Sequence, residues 1–178
     1  MSPSFLLDTN IVSNFLQAGR EGEFSVASRH VPRLVVDEVR KELEADKARG
    51  RAFKSWLASS NISVRHIPVG SEAAANLARL LRPKDPHKDL GERASIALAA
   101  PEPALVLVTH DKNALWLTIR EIWRAPAQVM GIAAFVRLLF DQRALMDPEV
   151  ADDVINLSGP LEQRPTWWAS WRAKLVAT

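Results

Sequence analysis

The chain has 178 residues, 47% hydrophobic and 25% charged, with a formal charge of +2 and a pI near 9.2. A chain of that size and composition builds one soluble core with an added tail, which excludes fibrous and disordered classes. It holds no cysteine, so disulfides, thiolate zinc sites and cysteine nucleophiles are excluded, a reducing cytoplasm is compatible, and the mild basicity permits a polyanionic partner without demanding one.

In chain order, Ser4 to Leu7 reads as a strand, Asp8-Thr9-Asn10 as a turn and Ile11 to Ala18 as a helix, with Asn10 its expected N-cap and Gly19 its C-cap. Pro32 to Val36 leads into a long solvated helix, Asp37 to Leu57, whose apolar face is Val39, Leu43, Phe53, Trp56 and Leu57 and which Gly50 is expected to break. Ile62 to Val69 alternates as a strand does, and Ser71 caps a helix that runs to Pro83. After the charged loop Lys84 to Lys88, Asp89-Leu90-Gly91-Glu92 opens a helix over Arg93 to Ala100. Ala104 to Val108 is a continuous apolar run, expected of a strand covered on both faces, with His110 and Asp111 at its carboxyl end. A helix over Asn113 to Ile119, a strand near Ala125 to Val129 and a helix over Gly131 to Phe140 complete the pattern.

These alternations predict an α/β fold: a central, mostly parallel β-sheet flanked by α-helices over residues 1–140. Residues 141–178 are read as a helical C-terminal extension that packs on the domain or on a partner subunit. In it Asp147-Pro148 starts a helix, Ser158-Gly159-Pro160 breaks it, and the stretch from Thr166 to Val176 is rich in tryptophan. Phe5 to Leu7 is interrupted by Asp8 and lacks a basic leader, so no secretory signal is expected. The apolar run Val129 to Phe140 contains Arg137 and falls short of the roughly 20 residues a span needs. The expected location is the cytoplasm, without membrane attachment.

In an open parallel sheet, ligands sit outside the carboxyl ends of the strands, and two apolar strands here end in Asp8 and Asp111. Glu38 follows a third apolar run, and Glu92 lies in the first turn of the helix before the last of these strands. Carboxylates gathered at one rim repel one another unless a cation is present, which points to Mg²⁺ or Mn²⁺, ions that favour oxygen ligands. Phosphodiester hydrolysis uses such a site without a protein nucleophile. The sequence lacks a Walker loop, a Gly-x-Ser-x-Gly elbow and a His-Glu-x-x-His zinc helix.

Four blocks carry a family resemblance. Phe5-Leu6-Leu7-Asp8-Thr9-Asn10-Ile11 resembles the opening motif of PIN domains, and Val36-Asp37-Glu38-Val39 followed by Lys41-Glu42-Leu43 resembles their second acidic motif. Leu90 to Ala99, containing Gly91-Glu92-Arg93, resembles the third, and Leu107-Val108-Thr109-His110-Asp111 the fourth. The similarity spans about residues 4 to 135, and its four acids are separated by 30, 54 and 19 positions. What it implies is a PIN-like fold and a Mg²⁺- or Mn²⁺-dependent ribonuclease that cleaves RNA with metal-activated water. It further implies Asp8, Glu38, Glu92 and Asp111 as metal-binding catalytic acids, with Thr9, Asn10, Asp89 and Thr109 as polar supports. Such proteins resemble VapC toxins, which are held by a cognate antitoxin and form homodimers.

Plainer readings stand beside these. Asp8 also suits a helix cap, and Asp89 with Glu92 forms a capping box, a role preferred for Asp89 and not for Glu92. His110 receives no role, because the four histidines lack zinc spacing. Lys84, His87, Lys88, Arg93 and Lys112 either steer RNA phosphates or form a solvated face. For Trp167, Trp168 and Trp171 a docking face is preferred over base stacking. The rival functions are a non-catalytic RNA-binding module, a PIN-fold RNA-processing or DNA 5'-end nuclease, and a haloacid-dehalogenase-like phosphatase, which would need an acid where Asn10 stands.

Overall fold

The structure, a computed structural model, describes residues 3–27, 31–59, 62–81, 88–110, 129–158 and 164–176. Five strands form one sheet, all parallel: β1 (Ser4–Leu7), β2 (Arg33–Val36), β3 (Ser63–Arg65), β4 (Leu105–Val108) and β5 (Val129–Met130). Their order is β3-β2-β1-β4-β5. The chain therefore steps outward from β1 in one direction and then returns to lay β4 on the other side of it. The place where that direction reverses lies between β1 and β4, and open α/β sheets bind ligands outside the carboxyl ends of the strands at such a point. Pairing of Leu7 with Val108 puts Asp8 and Thr109 next in register there.

The apolar runs of β2 and β4 are buried along their whole length, as parallel strands covered by helices must be. Around them lie α1 (Thr9–Gln17), α2 (Glu21–Ala27), α3 (Asp37–Ala45), α4 (Gly50–Ser59), α5 (Glu72–Leu80), α6 (Leu90–Ala99), α7 (Ile132–Asp141), α8 (Pro148–Asn156) and α9 (Trp168–Val176). Helices α1 and α6 both pack on α3, and α5 on α6, so these helices brace one another. Among the described residues no helix is long and apolar enough to cross a membrane.

Several local expectations change. Helix α1 is capped by Asp8, whose carboxylate accepts from Thr9 N, because Asn10 already lies inside the first turn. Gly19, at φ +67°, ends it: Gly19 N donates to Leu16 O and Arg20 N to Phe15 O, closing the last carbonyls as only a left-handed residue permits. The long helix breaks before Gly50, where Asp46 Oδ1 accepts from Ala48 N and Arg49 N and turns the chain. The strand expected over Ile62 to Val69 pairs only from Ser63 to Arg65, at a sheet edge where few apolar contacts extend it. Helix α2 is additional to the elements expected from sequence. Asp111 and the helix expected over Asn113 to Ile119 lie outside the described residues.

The extension folds back on the domain. Asn14 Nδ2 of α1 donates to Ser158 Oγ beyond α8 at 2.7 Å, and Arg20 bonds Asp153 of α8 at 2.8 Å. Trp171 of α9 meets Phe140 of α7 edge-on with ring centroids 5.6 Å apart.

Candidate metal-dependent active site

Asp8 ends β1 and is only 3% exposed. Each carboxylate oxygen has a donor: Thr9 N reaches Oδ1 at 2.7 Å and Thr109 Oγ1 reaches Oδ2 at 2.9 Å. Thr109 is itself fixed, since it is fully buried and its amide donates to Met130 O at 3.0 Å. Positioned at the start of α1, the carboxylate is the helix's N-cap.

Thr9 carries the series onward. Its hydroxyl donates to Glu42 Oε2 at 2.7 Å, and Glu42 Oε1 accepts from Gly91 N at 2.8 Å. Glu42 lies on α3, and Gly91 in the first turn of α6 immediately before Glu92. A continuous hydrogen-bonded series, Thr109–Asp8–Thr9–Glu42–Gly91, thus joins β4, β1, α1, α3 and α6 at the reversal point of the sheet. Close approach is essential at Gly91, where an added Cβ would stand 2.6 Å from Glu42 Oε2.

Of the acids expected from sequence, Asp8 and Glu92 sit at this rim, on β1 and on the helix that Glu42 caps. Glu38 lies one turn before Glu42 on α3, partly buried, and its Oε2 is sequestered without a hydrogen-bond partner among the described residues. Glu42, a residue present in the sequence motif but not singled out there, is an acid that hydrogen-bonds within the Asp8 series. Residues i and i+4 share a helix face, and the sequence reading assigned Glu38 because the tertiary packing that brings Glu42 to Thr9 and Gly91 is not written in the spacing.

The supporting residues divide. Thr9 and Thr109 hold carboxylates, whereas Asn10 is exposed in the first turn of α1. Asp89 is no side-chain cap: it adopts φ 54°, makes no capping hydrogen bond, and pairs instead with Arg93 Nη2 at 3.7 Å. The side-chain cap expected of Asp89 is therefore not made, its backbone lying in the left-handed region. Arg93 is buried and donates to Leu80 O at the end of α5, so it is a brace between helices and unavailable to substrate phosphates. Lys84, His87 and Lys112 lie outside the described residues.

The donor set is oxygen only, which suits a hard divalent cation rather than zinc held by nitrogen or sulfur. Among the described residues no three acidic or histidine side chains come together closely enough to hold a metal ion. Asp111, the fourth acid expected from sequence, lies outside the described residues. Comparison of the chain with protein-family models, curated proteins and solved structures gave no match.

Proposed function

We propose that this chain is a divalent-metal-dependent ribonuclease that hydrolyses RNA phosphodiester bonds, with the PIN-like fold and site that its sequence motifs resemble. The observation that carries the reading is the series Thr109–Asp8–Thr9–Glu42–Gly91 at the point where the parallel sheet reverses its order. Asp8, Glu42, Glu92 and Asp111 are the residues that would hold Mg²⁺ or Mn²⁺. Such an ion, when bound, polarises phosphoryl oxygens and acidifies its water. The chain's own groups do the positioning. Thr109 and the Thr9 amide fix Asp8 in one orientation, and Thr9 and Gly91 fix Glu42, so the carboxylates need little reorganisation when a phosphodiester arrives. Extended along the same resemblance, the reading is of a cytoplasmic VapC-like toxin, homodimeric and held by an antitoxin.

The test is RNA cleavage on a panel that includes tRNA, with EDTA against added Mg²⁺ or Mn²⁺. Cleavage is expected only with metal, and Asp8→Asn and Glu42→Gln are each expected to abolish it while Glu38→Gln retains most of it. Full cleavage by purified Asp8→Asn would overturn the proposal. Loss with Glu38→Gln and retention with Glu42→Gln would return the second acid to Glu38.

A further inference from the structure

A rim of carboxylates repels a polyanion, so RNA reaches it only where cations stand alongside. Arg93, near the acids in sequence, is buried against Leu80 O and does not serve. Another group stands on the flank formed by β2 and β3. Asp37 directly follows β2 and His66 directly follows β3, so both lie at the carboxyl edge of the sheet. Phe5 pairs with Arg33 and Leu6 with Leu34, which brings Asp8 level with Val36, the residue before Asp37. Val36 in turn pairs with Arg65, the residue before His66. Asp8, Asp37 and His66 thus follow the ends of three neighbouring strands, which are spaced about 5 Å apart.

The buried carboxylate of Asp37 gathers three basic side chains. Arg40 Nη2 takes Oδ1 at 2.7 Å, while Lys41 Nζ and His66 Nδ1 converge on Oδ2 at 2.8 and 3.6 Å. Lys41 and His66 are the open members, with side chains 61% and 74% exposed. An ammonium has three donors and exposed ion pairs contribute little, so Lys41 can turn to a second acceptor at small cost. The Asp37 hydrogen bond holds its ammonium above the ordinary value, and the charge of Glu38 adds to this, so Lys41 is a cation at neutral pH. Lys41 is also next to Glu42, whose carboxylate takes Thr9 and Gly91. At roughly 3.6 residues per turn the side of α3 runs Glu42, Glu38, Lys41, Asp37, and Lys41 is the first cation met on leaving the acids.

We infer that Lys41 and His66 form the part of the site that holds an RNA backbone phosphate beside the one to be cleaved, with Asp37 keeping both side chains in place until the strand arrives. The inference rests on the nuclease reading for the identity of that strand. A phosphate contact carries no base information, so this hold is the same for every RNA sequence.

The experiment follows two fluorescein-labelled single-stranded RNA oligonucleotides of different sequence binding to the full chain, by anisotropy in EDTA across a salt series, with cleavage kinetics in Mn²⁺ beside it. Lys41→Gln is expected to raise Kd about tenfold for both sequences, the loss of one charge-assisted contact. The slope of log affinity against log salt should flatten by about 0.7, one phosphate on a single strand. Lys41→Arg should keep the parent slope, His66→Gln should weaken binding by a smaller factor, and Lys54→Gln, on the exposed side of α4, should change nothing. In cleavage KM should rise with kcat held, because the contact is made before and during the reaction alike. An unchanged Kd and slope in Lys41→Gln, a loss matched by Lys54→Gln or confined to one sequence, a fall in kcat at constant KM, or no RNA binding by the parent would each overturn it. A parent that cleaves while Lys41→Gln binds normally sinks this inference and leaves the nuclease reading standing. A parent that binds through Lys41 without cleaving does the reverse. Should Lys41→Gln fail to fold by circular dichroism, His66→Gln carries the same test.

Discussion

At Gly91 the missing side chain is what allows Glu42 to reach the first turn of α6 and take its amide. A Cβ there would lie 2.6 Å from Glu42 Oε2 and 2.9 Å from its Cδ, both at the far end of a flexible side chain. Gly91→Ala should therefore displace the carboxylate and leave the backbone in place. Stability is expected to hold, since alanine in a helix is favoured by about 0.5–1 kcal/mol and the lost hydrogen bond costs about as much. Cleavage should fall by roughly 10 to 100-fold, the effect of disturbing an outer support of a metal site. Urea unfolding alongside cleavage rates separates the two, and an active, destabilised variant would contradict the role of Gly91 in positioning Glu42. Asp8 and Thr109 were legible in the sequence because each follows the last apolar residue of a strand. The choice of Glu42 was not, since it depends on how α3 crosses α1 and α6.

On the scale of single elements, helix ends decide more than helix interiors. Helix α6 begins at Asp89 in the left-handed region, without a side-chain cap. Asp89→Gly removes that backbone strain and loses only a 3.7 Å ion pair whose aspartate is 41% exposed, worth under about 1 kcal/mol. The variant should be at least as stable as the parent, and a loss of roughly 0.5–2 kcal/mol would instead restore the capping role. At the start of α3, Asp37 is buried and meets Arg40 Nη2 at 2.7 Å and Lys41 Nζ at 2.8 Å. Burial pushes its carboxyl up, but the hydrogen bonds from Lys41 and Arg40 outweigh this and hold it below the ordinary value. A carboxyl lowered on folding contributes stability above its unfolded value of about 3.9, lost as pH falls through the folded one. Asp37→Asn should thus be less stable than wild type at pH 7, with the gap closing below about pH 3.9. A gap of constant size down to acid unfolding would assign the effect to packing. Strands β1, β2 and β4 were readable as short apolar runs and the break after α3 from Gly50, where an added Cβ would stand 2.5 Å from Glu44 O, whereas the turn that Asp46 makes by bonding backbone amides was not.

Across the whole molecule, the alternation of strands and helices announced a parallel sheet, yet the strand order that sets Asp8 beside Thr109 emerges only from tertiary pairing. The extension shows the same division. Its tryptophans were readable as a docking face from their spacing, but their destination was not, since any apolar helix could have received them. They meet the domain through Trp171, 8% exposed, against Phe140 at the end of α7, while α8 packs on α1 and α7. Burial of a ring that size makes its removal costly: Trp171→Ala should lose roughly 3–5 kcal/mol of stability. Because the contact lies on α7 and α9 and not on the helices bracing Asp8 and Glu42, the fraction that remains folded should cleave RNA at the parent rate. Urea unfolding and cleavage normalised to folded protein measure the two effects separately. Base stacking by the same tryptophan makes the opposite forecast, an unchanged unfolding midpoint with weakened RNA affinity, and that outcome would place the extension in the substrate path instead of the core.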